Sequence, residues 1–174
     1  MKGTKIMVPL FTVFLLSIAM AGPVLAHQVQ SCPTKISFTL TVYLVKYTPG
    51  ESTVIGNTVW SSKATIQWIA LDGTLVSDSK EVWSVTNTLT GKGSGLNEYT
   101  DTYANGIIGT GVIKGMTLIT STADGSEGVA NILGTGSSDK YSQITEISTA
   151  SWHPTNTPFP TLVLTVTGTF TVKT

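Results

Sequence analysis

The chain has no arginine, one cysteine (Cys32), two histidines (His27 and His153) and few charges, with 11% charged residues in 174 against about 25% in an average soluble protein. Each scarcity removes a class of function. Without arginine there is no guanidinium fork to read a phosphate or a base edge bidentately. Ten lysines set against ten carboxylates leave no basic stripe, so nucleic acid is not an expected partner. One cysteine cannot form an internal disulfide, and Cys32 is either an ordinary thiol or a tether to a second chain. Two histidines and one cysteine at scattered positions are a poor supply for a zinc site. Neither histidine neighbours a Gly-x-Ser-x-Gly elbow that would present a serine nucleophile. Asp124-Gly125-Ser126-Glu127 offers too few of the roughly six to eight oxygens a calcium cage needs and reads as a solvated turn. No cofactor is therefore expected. Asn57, Asn87 and Asn156 each stand directly before threonine, the wrong offset for a glycosylation sequon.

The N-terminus is informative. Lys2 and Lys5 precede an apolar run from Ile6 to Ala21, and Gly22-Pro23 is followed by Val24-Leu25-Ala26. A charged head, an apolar middle and small residues at the cleavage site predict a signal peptide over 1–26, cut before His27. The run falls short of the ~20 residues of a membrane-spanning helix, and nothing after Ala26 is long or apolar enough to be one. The protein is thus expected outside the cell or at its surface, with no membrane span after cleavage. Residues 27–34 read as a flexible lead-in and 35–174 as one domain.

That domain reads as all-β. Threonine, valine and isoleucine dominate it, and their β-branched side chains favour strands. From Lys35 to Lys46 the chain alternates, with Ile36, Phe38, Leu40, Val42 and Leu44 on one face and mainly threonine and serine on the other. The C-terminal stretch repeats the pattern with Leu162, Leu164, Val166, Phe170 and Val172. A one-sided apolar pattern suits an antiparallel sheet. Asp72-Gly73 predicts a two-residue hairpin turn between Thr65–Leu71 and Thr74–Ser77. Further strands are expected at Lys80–Leu89, Asn97–Tyr103, Ile107–Val112, Met116–Ser121, Val129–Leu133 and Ile144–Ser148. Trp68 shares parity with Ile66 and Ala70, and Trp83 with Val85 and Leu89, which assigns both tryptophans to the core. Such regular strand-and-turn spacing indicates a barrel or a sandwich. Eleven of the seventeen glycines fall between Gly91 and Gly136, where the sheet should coil most strongly.

Within that glycine-rich third, Gly109-Thr110-Gly111-Val112-Ile113-Lys114-Gly115 resembles the Gly-x-Gly-x-apolar-x-Gly stretch of the dirigent and allene oxide cyclase families, in which a strand is followed closely by a glycine-permitted bend. The resemblance covers about a dozen residues. It implies an antiparallel, calycin-like β-barrel of eight strands with an apolar lumen for a small lipophilic molecule. It carries no catalytic acid onto this chain by motif. A β-sandwich is the alternative fold.

Carboxylate pairs close in sequence, Glu98 with Asp101 and Asp78 with Glu81, stand three apart and so point to opposite faces of a strand; neither pair can act together. One strand face is unusual. Period two puts Asn97, Tyr99, Asp101 and Tyr103 on a single side of Asn97–Tyr103, mixing aromatic planes with hydrogen-bonding groups as binding surfaces do. Trp152 is a further aromatic outside the core stripes. These five residues are the candidate site, for a small apolar molecule or a glycan, in a protein that reads as a binder rather than an enzyme. Two alternatives stand beside it. One is an extracellular or surface protein that self-associates through an edge strand or Cys32. The other is a cofactor-free enzyme acting on a lipophilic substrate.

Overall fold

The computed structural model describes residues 32–153 and 162–174; the expected signal peptide, its cleavage site at His27 and most of the 27–34 segment lie outside them. Ten strands run through the described residues, and all neighbouring pairs are antiparallel. In chain order they are β1 (Thr34–Thr48), β2 (Glu51–Ile55), β3 (Thr58–Ser62), β4 (Thr65–Ala70), β5 (Leu75–Asn87), β6 (Lys92–Asn105), β7 (Gly109–Thr122), β8 (Gly128–Ser138), β9 (Gln143–Trp152) and β10 (Val163–Lys173). The sheet order is β2-β3-β5-β4-β1-β10-β9-β8-β7-β6, and β6 pairs back onto β5. Eight strands therefore form a ring, with the β2–β3 hairpin attached outside it along the second half of β5. The free edge of β2 is short and exposed along its whole length. Among the described residues no helix is long and apolar enough to cross a membrane.

Period two decides what faces the inside of the ring. On β1 and β10 the residues Phe38, Val42, Leu44, Leu164, Val166, Phe170 and Val172 are buried, while the threonines between them face out. The two strands pair over ten residues, from Thr34↔Val172 to Tyr43↔Val163. Phe38 and Phe170 stack with ring centroids 4.2 Å apart, and Tyr103 meets Phe170 edge-on at 5.5 Å.

Several strand boundaries differ from the expectation. The stretches expected as separate strands at 74–77 and 80–89 are one strand, β5, and those at 107–112 and 116–121 fall largely in β7. β7 starts at Gly109, whose φ is +81°, and runs on through Gly111 and Gly115 without a register shift against β6 or β8. The Asp72-Gly73 connection spans four residues rather than two, because Asp72 Oδ1 accepts hydrogen bonds from Thr74 N (3.0 Å) and Thr74 Oγ1 (2.6 Å) and closes a wider turn. Asp124 likewise holds its turn by accepting from Thr122 Oγ1, Ser126 N and Ser126 Oγ, contacts that lower its carboxyl to about 2.

Trp83 does not join the core. A register shift between Glu81 and Trp83 exchanges the faces of β5, as one extra residue in a strand must. Before the shift Ser77 and Ser79 oppose the inward Asp101 and Tyr99; after it Trp83 and Val85 oppose Leu96 and Ser94 on the outer face. Leu89 lies in the following turn, exposed, where Asn87 Oδ1 caps the backbone of Leu89 and Thr90.

Candidate functional site

The lumen of the ring divides in two. Tyr103, Phe170, Ile108, Ile113, Ile144 and Val172 pack one part with essentially no exposure. The other holds a cavity of about 210 Å3. Its walls are mainly apolar, with Trp68 and Ile66 from β4, Leu75 from β5, Ile119 from β7, Ala130 and Ile132 from β8, and Leu164 and Val166 from β10. Trp68, expected as a core residue, packs against the core and lines this cavity as well.

All five residues singled out by sequence line the cavity. Asn97, Tyr99, Asp101 and Tyr103 project inward from β6 and are buried. Trp152 ends β9, and its Nε1 donates to Gly125 O at 3.0 Å, linking the strand end to the β7–β8 turn. Trp60, the other tryptophan outside the core stripes, is half exposed on β3.

The residue that sequence reading missed is Glu146. It projects inward from β9 and is 1% exposed, more deeply buried than Asp101 at 6%. A local signal existed: Glu146 has the parity of Ile144, Ala150 and Trp152, and an acid among inward apolar residues is an acid inside. What no local pattern reveals is that β6 and β9 face each other across the lumen. Tyr99 OH donates to Glu146 Oε2 (3.4 Å), Tyr103 OH lies between Asp101 Oδ2 (3.4 Å) and Glu146 Oε2 (3.5 Å), and Ser148 Oγ donates to Glu146 Oε1 at 2.8 Å. The two carboxyls thus share one tyrosine hydroxyl. Ser77 stands opposite Asp101 in the β5–β6 register, yet Asp101 Oδ1 is buried and makes no hydrogen bond.

Glycine makes this convergence sterically feasible. The register carries Tyr99 to Gly115, then to Gly134, then to Glu146, so the tyrosine reaches its partner over two residues without side chains. A Cβ on Gly134 would collide with the Tyr99 hydroxyl and approach Ile113 Cγ2 to 2.8 Å. Gly128 plays the same part for Trp152, whose ring occupies the space a Cβ would need.

Burial sets the proton chemistry. Loss of water disfavours a charged carboxylate, and Asp101 is pushed up to about 8, first by burial and then by the nearby Glu146 charge; the hydroxyls of Ser77 and Tyr103 pull the other way. Glu146 is raised too, chiefly by burial, against the stabilising hydroxyls of Ser148, Tyr99 and Tyr103. Both tyrosines are held in the phenol form by burial and by the two acids. With its carboxyl pushed up to about 8, Asp101 can donate a hydrogen bond within the apolar chamber while it holds its proton, and when ionised it becomes an acceptor for a cation. Among the described residues no three histidine, cysteine or acidic side chains gather as a metal site would require.

Compared with protein-family models, with curated proteins and with solved structures, the chain finds no match in any of the three. Its site is therefore read from its own geometry.

Proposed function

We propose that this is an exported, non-enzymatic protein whose ring of eight strands works as a closed β-barrel, of the kind seen in the dirigent and allene oxide cyclase families, and binds a small, mostly apolar molecule in its lumen. The observation that carries the reading is the cavity itself, an apolar chamber with one polar cluster at its packed side. Ligand sites have that make-up: apolar walls supply affinity and a few convergent polar groups fix orientation. At about 210 Å3 the chamber is smaller than the roughly 300–1,000 Å3 typical of drug-sized ligands, so the guest is a compact molecule. A glycan is the weaker candidate, because its many hydroxyls would face walls with few partners.

Binding of indole and p-cresol, followed by calorimetry and by tryptophan fluorescence, tests this. Saturable one-to-one binding is expected, and it should disappear in Ile119→Trp or Thr117→Trp, which fill the chamber, while the circular dichroism of the strands persists. Unchanged binding in both filled variants would refute the lumenal site.

A second reading, self-association, has its own observation. Met116, Leu133 and Ile147 are direct cross-strand neighbours on the outer face of β7, β8 and β9, and all are exposed. Light scattering of the native chain against Leu133→Lys tests it; a strictly monomeric native protein rules it out.

A further inference from the structure

We propose that the lumen is selective for a small organic ammonium, a compact amine with an aromatic or aliphatic body, whose charged nitrogen sits against Asp101 and Glu146. This rests on the reading of the lumen as a binding chamber and names the chemistry of its guest.

The first argument is charge. Two acids are buried at one place, and among the described residues no cationic side chain lies beside them. The chain has no arginine, every lysine among the described residues is exposed, and the salt bridge those residues contain, Lys63–Glu51, lies on the outer surface. A buried pair of like charges is costly unless a proton or a cation compensates it.

The second argument is the balance of donors and acceptors. The cluster presents four carboxyl oxygens to the hydroxyls of Tyr99, Tyr103 and Ser148, with the Ser77 hydroxyl acting on Asp101 from β5. Asp101 Oδ1 is left without a donor in a side chain more than nine-tenths buried. A ligand carbonyl is served by Asp101 alone and only while that carboxyl keeps its proton, whereas an ammonium adds three donors and no acceptor and pairs with both carboxyls once Asp101 ionises.

The third is the walls. Tyr99, Tyr103, Trp68 and Trp152 line the chamber, and aromatic faces attract cations, more strongly once water is excluded. A bare metal ion would find only two carboxyls and no third ligand of the usual kinds among the described residues, far short of the oxygen cage that calcium takes. It would also leave the apolar walls uncovered.

Proton release follows from the same arrangement. Asp101 is faced by Tyr99 and Tyr103 from its own strand, by Ser77 from β5 and by Glu146 from β9, and the charge of Asp78 on the outer face of β5 also reaches it. Of these the two acids raise it and the hydroxyls of Ser77 and Tyr103 lower it. An ammonium beside it favours the charged form, so binding at about pH 7 expels a proton and tightens as the pH rises toward about 8.

The experiment is calorimetry on the full chain with three probes of one shape: 2-phenylethylamine, the neutral 2-phenylethanol and the anion phenylacetate. The amine is expected to bind roughly tenfold more tightly than the alcohol, by the ion pair and cation–π contribution, and phenylacetate not at all. Runs in two buffers of different ionisation enthalpy should show proton release with the amine alone. Asp101→Asn should reduce amine affinity by about tenfold, a larger loss than that of the alcohol. Equal binding of alcohol and amine, or amine binding indifferent to Asp101→Asn, overturns the selectivity and leaves the apolar chamber standing. No binding of any probe or of indole overturns both.

Discussion

At one end of the lumen Phe38 lies flat on Phe170, Tyr103 meets that ring edge-on, and Ile108, Ile113 and Ile144 have no exposure at all. At the other, Trp68, Ile119, Ile132 and Leu164 border open space. β1, β6, β7, β9 and β10 supply residues to both ends with the same inward parity, so on these strands the difference comes from which side chains stand at each level. On β9 the inward residues shrink from Ile144 through Glu146 and Ser148 to Ala150 as the lumen opens, and Trp152 then closes the strand end at the chamber wall. The polar cluster sits at the border between the two. The solid end buries apolar side chains closely, whereas the border holds two acids whose charged forms burial disfavours.

The largest effect that separates the two ends is expected from truncation. Phe170→Ala should cost about 3–5 kcal/mol, because the packed end cannot close over the void. Ile119→Ala, beside space that already exists, should cost no more than about 2 kcal/mol. Urea unfolding of both variants measures the contrast, and equal losses would mean that the ends do not differ.

Next in size is the pH dependence of stability. The folded chain holds the Asp101 proton more tightly than the unfolded chain, so its contribution is complete below about pH 4 and is lost as the pH rises toward about 8. Asp101→Asn removes that loss, and should exceed the native protein in stability by a few kcal/mol at about pH 9. A constant difference between the two across the range would contradict it. Smaller again, Gly134→Ala should cost about 1–3 kcal/mol by overpacking. It pushes the Tyr99 hydroxyl off Glu146, a displacement visible as a shifted Tyr99 ring resonance; an unshifted ring would show that the glycine is not needed there.

What the sequence could reveal divides along similar lines. The inward faces of β1, β6 and β10 are legible because period two is a local property: Phe38, Tyr99, Asp101 and Phe170 declare their side within a few residues. The hairpin β2–β3 is not legible, since its residues are exposed or half-buried and alternate weakly. The face of Trp83 is not legible in the sequence because the bulge at Glu81–Trp83 is written in pairing with β6 rather than in β5 itself. The candidate site was half legible. Asn97, Tyr99, Asp101 and Tyr103 share a strand, whereas Glu146 joins them only through the closure of the ring, and forty-odd residues separate it from the tyrosines it touches.

The central claim is that Asp101 is a buried acid kept protonated at neutral pH beside Glu146. Carbon-13 NMR of the aspartate and glutamate carboxyl carbons, with Asp101→Asn and Glu146→Gln used to assign the two signals, tests it without any ligand. The account predicts that Asp101 titrates near about 8 and that Glu146 titrates above the ordinary glutamate range. An Asp101 signal titrating near about 4, as a solvated aspartate does, would contradict it.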